Sequence, residues 1–431
     1  MAMPNAKVQM PNVVAGTALI IRYSAFALPN SVCAVNSGYA LADTNRMRIA
    51  LDARTIYRMV RRGTGKNLID LYRTIARMRP DWHVIAYHRT PEGGDELFGV
   101  LDEPNIEPRQ IEMPGDRIHA WGRWRLPMAA WRDGADLLHC PANLCPTWMP
   151  VPTLVTIHDL IPLDMPDGRP GGDLRLFEQS VKTACRRAAG IVTPSAYTRD
   201  RLVSEFGGDA DRITVNHWAP DRSVSLVEGA QHSPALQHYG IDKPFALHFG
   251  APAPRKNTRR VIESWAMIGS KARQRYQLLI VGLDGDSLAK AQQRVDNLGI
   301  TDSVRLHGFA DEADLPTLLS AARVLMYPSL SEGFGLPILD AWKTGAAVLT
   351  SDTTSLPEVA GDGAVLVDPT DPRQIALQTL RLLRDVALRR HLATVGHQRV
   401  QAFTWQATAT RFIAAAERAA GVEGNALRMA A

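Results

Sequence analysis

Glu332 and Asp340 stand eight residues apart in PSLSEGFGLPILDAW (328–342), with Gly333 and Gly335 close behind the first acid. An ionised carboxylate only accepts hydrogen bonds, so two of them beside a tight loop suit vicinal hydroxyls such as those of a ribose or a hexose. The apolar pattern predicts a strand over RVLMYPS (323–329), an exit loop LSEGFG, and a helix over LPILDAWKT with Pro337 in its first turn and Gly345 just past its end. Glu332 then lies at the carboxyl end of the strand, and Asp340 about one turn into the helix. The N–H groups near Gly335, Leu336 and Ile338 fall at a helix N-terminus, which receives phosphate, and glycine lets that backbone approach a ligand closely. A structural role fits equally well: Glu332 caps the helix and Asp340 favours its dipole.

A second cluster bears on that choice. FGAPAPRKN (249–257) leaves another expected strand through a Gly/Pro loop and brings Arg255 and Lys256 to the start of a helix opened by Asn257. Alone, such a pair is an ordinary solvated surface feature. At the carboxyl end of a strand in the same sheet, two cations suit a diphosphate. With two hydroxyl-accepting acids beside them, they describe a site for a nucleotide-diphosphate sugar.

The elements that must carry these residues alternate between short apolar runs and amphipathic stretches, the signature of α/β units on a parallel sheet. RIALD (48–52), WHVIAYH (82–88), PTLVTIH (152–158), GIVTPS (190–195) and RITVNH (212–217) read as strands. GTGKNLIDLYRTIARM (63–78) reads as a glycine loop and helix, with Leu68, Leu71, Tyr72, Ile75 and Met78 at helical spacing. FEQSVKTACRRAA (177–189) and AYTRDRLVSEFG (196–207) read as further helices, the second with Ser195 as N-cap and Gly207 as its stop. The polar stretch SVSLVEGAQHSPALQHYG (223–240) reads as a linker. Beyond it FALHFG (245–250), YQLLIVG (276–282), VRLHGF (304–309), RVLMYPS, AAVLTS (346–351) and AVLVDP (364–369) form about six strands with helices between, a doubly wound sheet. The expectation is two Rossmann-like domains in tandem, with ligands at the strands' carboxyl ends.

A chain of 431 residues exceeds one ordinary core, and 45% hydrophobic with 22% charged residues is a globular composition able to bury two. A net charge of +5 is compatible with an anionic ligand or membrane surface and too weak to argue for nucleic acid. Cys33, Cys140, Cys145 and Cys185 fit no zinc template, and CPANLC reads as buried cysteines of a reducing compartment. No run is apolar and long enough to span a bilayer. Arg22 interrupts the one signal-like stretch, VVAGTALIIRYSAFA (13–27), so residues 1–46 read as a poorly ordered extension or an early start, and the cytoplasm is the default location. WGRWRLPMAAWR (121–132) interleaves Trp121, Trp124 and Trp131 with Arg123, Arg125 and Arg132. It reads either as an amphipathic core-and-surface segment or as a rest for an anionic membrane carrying a lipid-linked saccharide.

These motifs, in this order, resemble the retaining nucleotide-sugar glycosyltransferases of the GT-B fold, family 4 ("group 1"). The family signature is a Glu, seven residues and a second Glu, within EGFGLP. The match runs on through TSLPEVAGDGAVLVDP (354–369) and back through PRKN, TPSAYTRDRLVSEFG (193–207), VTIHDLIP (155–162) and LDAR with the GTG loop (51–65), covering roughly residues 47–420. The resemblance implies an α/β protein with two Rossmann-like, doubly wound domains facing across a cleft. Residues 47–235 would bind the acceptor and 236–402 the nucleotide sugar, and 403–431 would form a helix crossing back to the first domain.

The same resemblance implies roles. Glu332 contacts donor-sugar hydroxyls and Asp340 the ribose. Arg255 and Lys256 neutralise the diphosphate, helped by the backbone of Gly333, Phe334, Gly335 and Leu336. His158 faces the donor sugar across the cleft, and Gly63 and Gly65 approach donor phosphates and acceptor. The surroundings of Gly308 and Phe309 either line the base or are an ordinary strand end. The implied donor is GDP-mannose or a UDP-hexose, and the implied acceptor a saccharide, free or polyprenyl-linked. No cofactor is required, and no Asp-x-Asp pair at a strand end suggests a metal. Asp340 departs from the family's second Glu, being shorter by one methylene, about 1.5 Å of reach. That departure keeps a non-catalytic nucleotide-sugar-binding protein in view, alongside a sugar-nucleotide epimerase of related fold.

Overall fold

A computed structural model describes residues 46–57, 63–89, 99–112, 120–165 and 174–422. The expectations for the 1–46 extension, save Arg46, and for Cys33 lie outside the described residues. Thirteen strands among these residues form two parallel sheets. The first contains β1 (Arg48–Asp52), β2 (His83–His88), β3 (Ile106–Gln110), β4 (Leu137–Cys140), β5 (Thr153–Thr156), β6 (Gly190–Thr193) and β7 (Ile213–Val215), in the order β3-β2-β1-β4-β5-β6-β7. The second contains β8 (Phe245–Phe249), β9 (Gln277–Val281), β10 (Val304–Leu306), β11 (Val324–Tyr327), β12 (Ala347–Ser351) and β13 (Val365–Val367), in the order β10-β9-β8-β11-β12-β13. All four residues of β11 and all five of β9 are buried, as parallel strands covered by helices on both faces must be.

The α/β reading holds, with two doubly wound sheets. Two strands escaped the sequence reading. IEPRQ (β3) has no apolar alternation and carries Pro108, tolerable because β3 lies at the sheet edge. LLHC (β4) is a four-residue, wholly buried run too short to show a period. Gly63–Gly65, expected as a loop, are instead the first turn of helix α1 (Gly63–Met78), where the leading N–H groups have no intrahelical partner to lose. Its stripe Leu68, Leu71, Tyr72 and Ile75 is fully buried, while Met78 at the helix end is exposed. Helix α2 (Ala196–Phe206) is capped by Ser195 and stopped by left-handed Gly207, as its sequence predicts.

The segment read as a linker is packed: Val224, Ala230, Leu236 and Tyr239 are buried, and Val227 N–H donates to Ser320 Oγ (3.0 Å). Three further helices matter below: α3 (Leu336–Lys343), α4 (Leu356–Ala360) and α5 (Trp405–Ala420). Helix α5 packs on the first sheet's side. Phe412 meets Tyr72 of α1 edge-on (5.9 Å between centroids), Glu417 pairs with Arg79, and Trp405 Nε1 donates to the Pro220 carbonyl (3.1 Å).

Trp121–Arg125 form a wide π-helical turn that runs into a helix over Leu126–Arg132. Trp121 is buried beneath the Arg54 guanidinium (4.4 Å), whereas Trp124 and Trp131 are each 55% exposed. Cys140, Cys145 and Cys185 are buried free thiols, and burial pushes Cys145 up to about 12. No helix among the described residues is long and apolar enough to cross a membrane.

Candidate active site

Strands β8 and β11 are neighbours in the middle of the second sheet; the chain leaves β8 for β9 on one side and returns at β11 on the other. Such a reversal opens a crevice at the strands' carboxyl ends. The two exit loops are pinned together there. Leu330 N–H donates to the Arg255 carbonyl (2.7 Å), and Asn257 Nδ2 donates to the carbonyls of Pro328 (2.8 Å) and Pro369 (2.7 Å). Asn257 adopts a left-handed backbone (φ 61°), which asparagine tolerates better than most residues.

Both cations of that loop turn onto Glu332. Arg255 Nη1 reaches one carboxylate oxygen (2.6 Å) and Lys256 Nζ the other (2.7 Å). Lys256 also donates to the Tyr327 hydroxyl (2.9 Å). Burial alone would raise the Glu332 carboxyl, but Lys256 and Arg255 outweigh it and bring its pKa down to about 2. Glu332 is therefore ionised. It does not cap α3: the N-cap of that helix is Gly335 (φ 123°), with no side-chain cap. A glycine at that position offers no side chain to the leading N–H groups of α3.

Asp340 has a partner that spacing could not reveal. One of its oxygens accepts from the Asp221 N–H (3.0 Å), and Lys343, on the same helix face, donates to the Asp221 carbonyl (2.8 Å). Burial, with the Asp221 carboxylate also near, pushes the Asp340 carboxyl up to about 7.

The first sheet supplies the opposing wall. A Cβ on Gly333 would lie 2.2 Å from the His158 carbonyl oxygen, which leaves no room for any side chain at that position. His158 itself donates from Nε2 to the Pro141 carbonyl (2.6 Å) and stacks on Trp218 (5.9 Å). Nδ1 is therefore the acceptor of its neutral ring, and burial lowers the imidazole's pKa. Gly63, at the start of α1, faces Leu336 (4.0 Å from its ideal Cβ to Leu336 Cδ1), and Gly65 is buried two residues further on. Lys66 pairs with Glu312 beyond β10 (2.6 Å). Phe334 keeps its backbone in the loop but buries its ring against His217 (5.7 Å) and Phe403 (6.0 Å). Phe309 is 78% exposed past the end of β10. Among the described residues, no group of three or more His, Cys, Asp or Glu side chains is placed to hold a metal ion.

Sequence reasoning missed the residues that brace this loop. Thr354 Oγ1 accepts the Glu332 N–H (3.3 Å), Ser355 Oγ lies 2.9 Å and 3.0 Å from the carbonyls of Glu332 and Phe334, and Glu358 meets His217 Nε2 (2.8 Å). Their only signal was membership of the TSLPEVAGDGAVLVDP stretch; His217 carried none.

Comparison with known proteins places the chain. Residues 61–221 match the model of Glycosyltransferase Family 4, and residues 237–399 that of Glycosyl transferases group 1. O-antigen chain mannosyltransferase B of Escherichia coli is 33% identical over 261 residues, 60% of this chain and 68% of that protein. The chain belongs to the family 4 (group 1) glycosyltransferases. Another relative of this glycosyltransferase is the longer serotype-specific mannosyltransferase WbdA of E. coli, 29% identical over 61% of this chain and 33% of that protein. Sucrose-phosphate synthase of Thermosynechococcus elongatus superposes with a TM-score of 0.67 at 21% identity, covering 86% of this chain and 98% of that one. The fold of this glycosyltransferase is accordingly GT-B.

Proposed function

We propose that this glycosyltransferase moves a hexose, mannose in preference to glucose, from a nucleotide-diphosphate sugar to a hydroxyl of a saccharide acceptor, with retention at the anomeric carbon. The observation that carries the reading is the ionised Glu332, held by Arg255 and Lys256 beside the uncapped N-terminus of α3. In this reading residues 236–402 bind the donor and residues 47–235 the acceptor. Glu332 accepts from sugar hydroxyls and Asp340 from the ribose. Arg255, Lys256 and the backbone N–H groups from Gly333 to Leu336 stabilise charge on the departing diphosphate. The bond from the anomeric carbon to the phosphate oxygen breaks, and its electron pair leaves with the diphosphate. The acceptor oxygen bonds from the same face and passes its proton to the departing phosphate. His158 and the glycines of α1 wall off water. The two cations supply the positive charge, so no metal ion is required.

The mannosyltransferase names of both E. coli relatives support mannose and a place in cell-surface polysaccharide synthesis. A thermal-shift screen with GDP-mannose, UDP-glucose and UDP-GlcNAc tests this. At a hundredfold excess over Kd the true donor stabilises by about 2.7 kcal/mol. GDP-mannose is expected to give the largest rise; a larger rise with UDP-glucose would reassign the sugar, and no rise with any donor would overturn the reading.

A polyprenyl-linked acceptor would be met at the inner face of the cytoplasmic membrane. The exposed rings of Trp124 and Trp131, interleaved with Arg123, Arg125 and Arg132, support that contact. Flotation with anionic liposomes should carry the wild-type protein and leave the variant with all three arginines changed to Glu behind. Equal flotation of the two would remove the segment from membrane binding.

A further inference from the structure

The loop that carries Glu332 is held from behind by Thr354 and Ser355, and three residues later the same chain reaches across to the first sheet's side. Glu358 Oε1 accepts from the Ala196 N–H (2.9 Å) and lies 2.8 Å from His217 Nε2, while Oε2 accepts from the Tyr197 N–H (3.2 Å). Ala196 and Tyr197 open α2, so these are two N–H groups that the helix itself leaves unpaired. Ser195, the helix's own N-cap, serves Thr198 and not these two. A carboxylate from one half therefore completes a helix start in the other, where the helix dipole favours it and the hydrogen bonds are charge-assisted.

The mechanical connection is short. Thr354 holds a left-handed backbone (φ 59°) that strains a β-branched residue, and from there its hydroxyl takes the Glu332 N–H. Ser355 shares its hydroxyl proton between the Glu332 and Phe334 carbonyls. His217, which Glu358 engages, stacks on Phe334 of the same loop. Loop, brace and cross-contact thus close a ring of interactions, in which Glu358 is the charged member of the brace bound to the opposite half.

We propose that Glu358 is a positioning residue: through Thr354, Ser355 and His217 it couples the approach of the two halves to the placement of the Glu332 loop. The inference rests on the reading of Glu332 as a donor-sugar contact. Glu358→Gln keeps the shape and removes the charge, and Ser355→Ala cuts the brace while leaving Glu358 intact. Amide hydrogen exchange is measured on peptides covering 195–198 and 330–336, and transfer kinetics with GDP-mannose. Glu358→Gln is expected to speed exchange in both peptides and to lower kcat about tenfold, with the donor KM and Tm little changed. Ser355→Ala is expected to speed exchange in 330–336 alone. If Glu358→Gln loosens 195–198 while 330–336 keeps its wild-type exchange, Glu358 is a local cap and the coupling is overturned. If exchange responds as expected but kcat does not fall, the positioning role is overturned. Absence of transfer by the wild-type protein would instead count against the donor reading, and the exchange measurements would still decide the coupling.

Discussion

Replacing Glu332 with alanine is expected to lower glycosyl transfer by about 10²–10³-fold, the loss typical when one preorganised polar contact to a reacting group is removed. The mechanism is twofold. In the proposed reading the variant loses the acceptor for the sugar hydroxyls. It also leaves Arg255 and Lys256 side by side without their shared counterion, free to turn onto other partners. Removing one member of a buried ion pair costs on the order of 3–5 kcal/mol of stability, so unfolding must be followed beside turnover. A pH series separates the two effects. The Glu332 carboxyl falls from an ordinary 4.5 to about 2 in the folded protein, a stabilisation of roughly 3 kcal/mol. A depressed carboxyl contributes that stability fully above pH 4.5 and loses it as the pH falls toward 2. The stability gap between wild type and Glu332→Gln, measured by urea unfolding, should therefore be widest above pH 5 and shrink below 4. Transfer within tenfold of wild type in a folded Glu332→Ala protein would take Glu332 out of the site.

Asp340 has the opposite sign. Its carboxyl rises from 3.8 to about 7, so the folded protein holds a proton that the unfolded chain has released. Stability therefore declines as the pH climbs from 3.8 to 7, and the cost is complete above 7. The shift corresponds to at most about 4 kcal/mol, and to less for a half-buried side chain that water partly solvates. Asp340→Asn keeps an oxygen for the Asp221 N–H and removes the charge. It should raise Tm by several degrees at pH 8 and change little at pH 4. A Tm at pH 8 equal to or below that of wild type would show that the ionised carboxylate is already well compensated, by the Asp221 N–H and then by Lys343. Asp340→Glu, which restores the family's usual residue, places its carboxylate about 1.5 Å farther out and must give up or redirect the Asp221 contact.

The parts of the site legible in the sequence were those carried within one short stretch. EGFGLP and PRKN lie on loops whose position follows from strand and helix period alone, and both were placed at the strand ends where the structure has them. What escaped depends on separation. Glu358 and Ala196 are 162 residues apart, and Asp340 and Asp221 are 119 apart. No local periodicity reports such pairs. The sequence also left Glu332 open between helix cap and ligand contact, because either role needs only an acid just before a helix. The structure argues against the cap, with Arg255 and Lys256 on the two carboxylate oxygens and no side-chain cap on α3, and the ligand contact is the reading proposed above. β3 and β4 were missed for a different reason: an edge strand with a proline and a four-residue buried strand show no alternation to detect.

Helix α5 bears on how this protein is made. Phe412, Ile413, Ala416 and Ala419 belong to the same buried cluster as Leu68, Leu71, Tyr72 and Ile75 of α1, and Trp405 closes on Pro220. The half translated first therefore emerges from the ribosome lacking a wall. About 200 more residues must follow Val215 before that wall exists, which takes on the order of 10–40 s at ordinary elongation rates. By the end of that interval the second sheet has all its strands and can fold, while the part of the first core that α5 covers is still open. The usual vectorial order, first domain before second, is thus reversed for completion: the nascent chain finishes its later half before its earlier one.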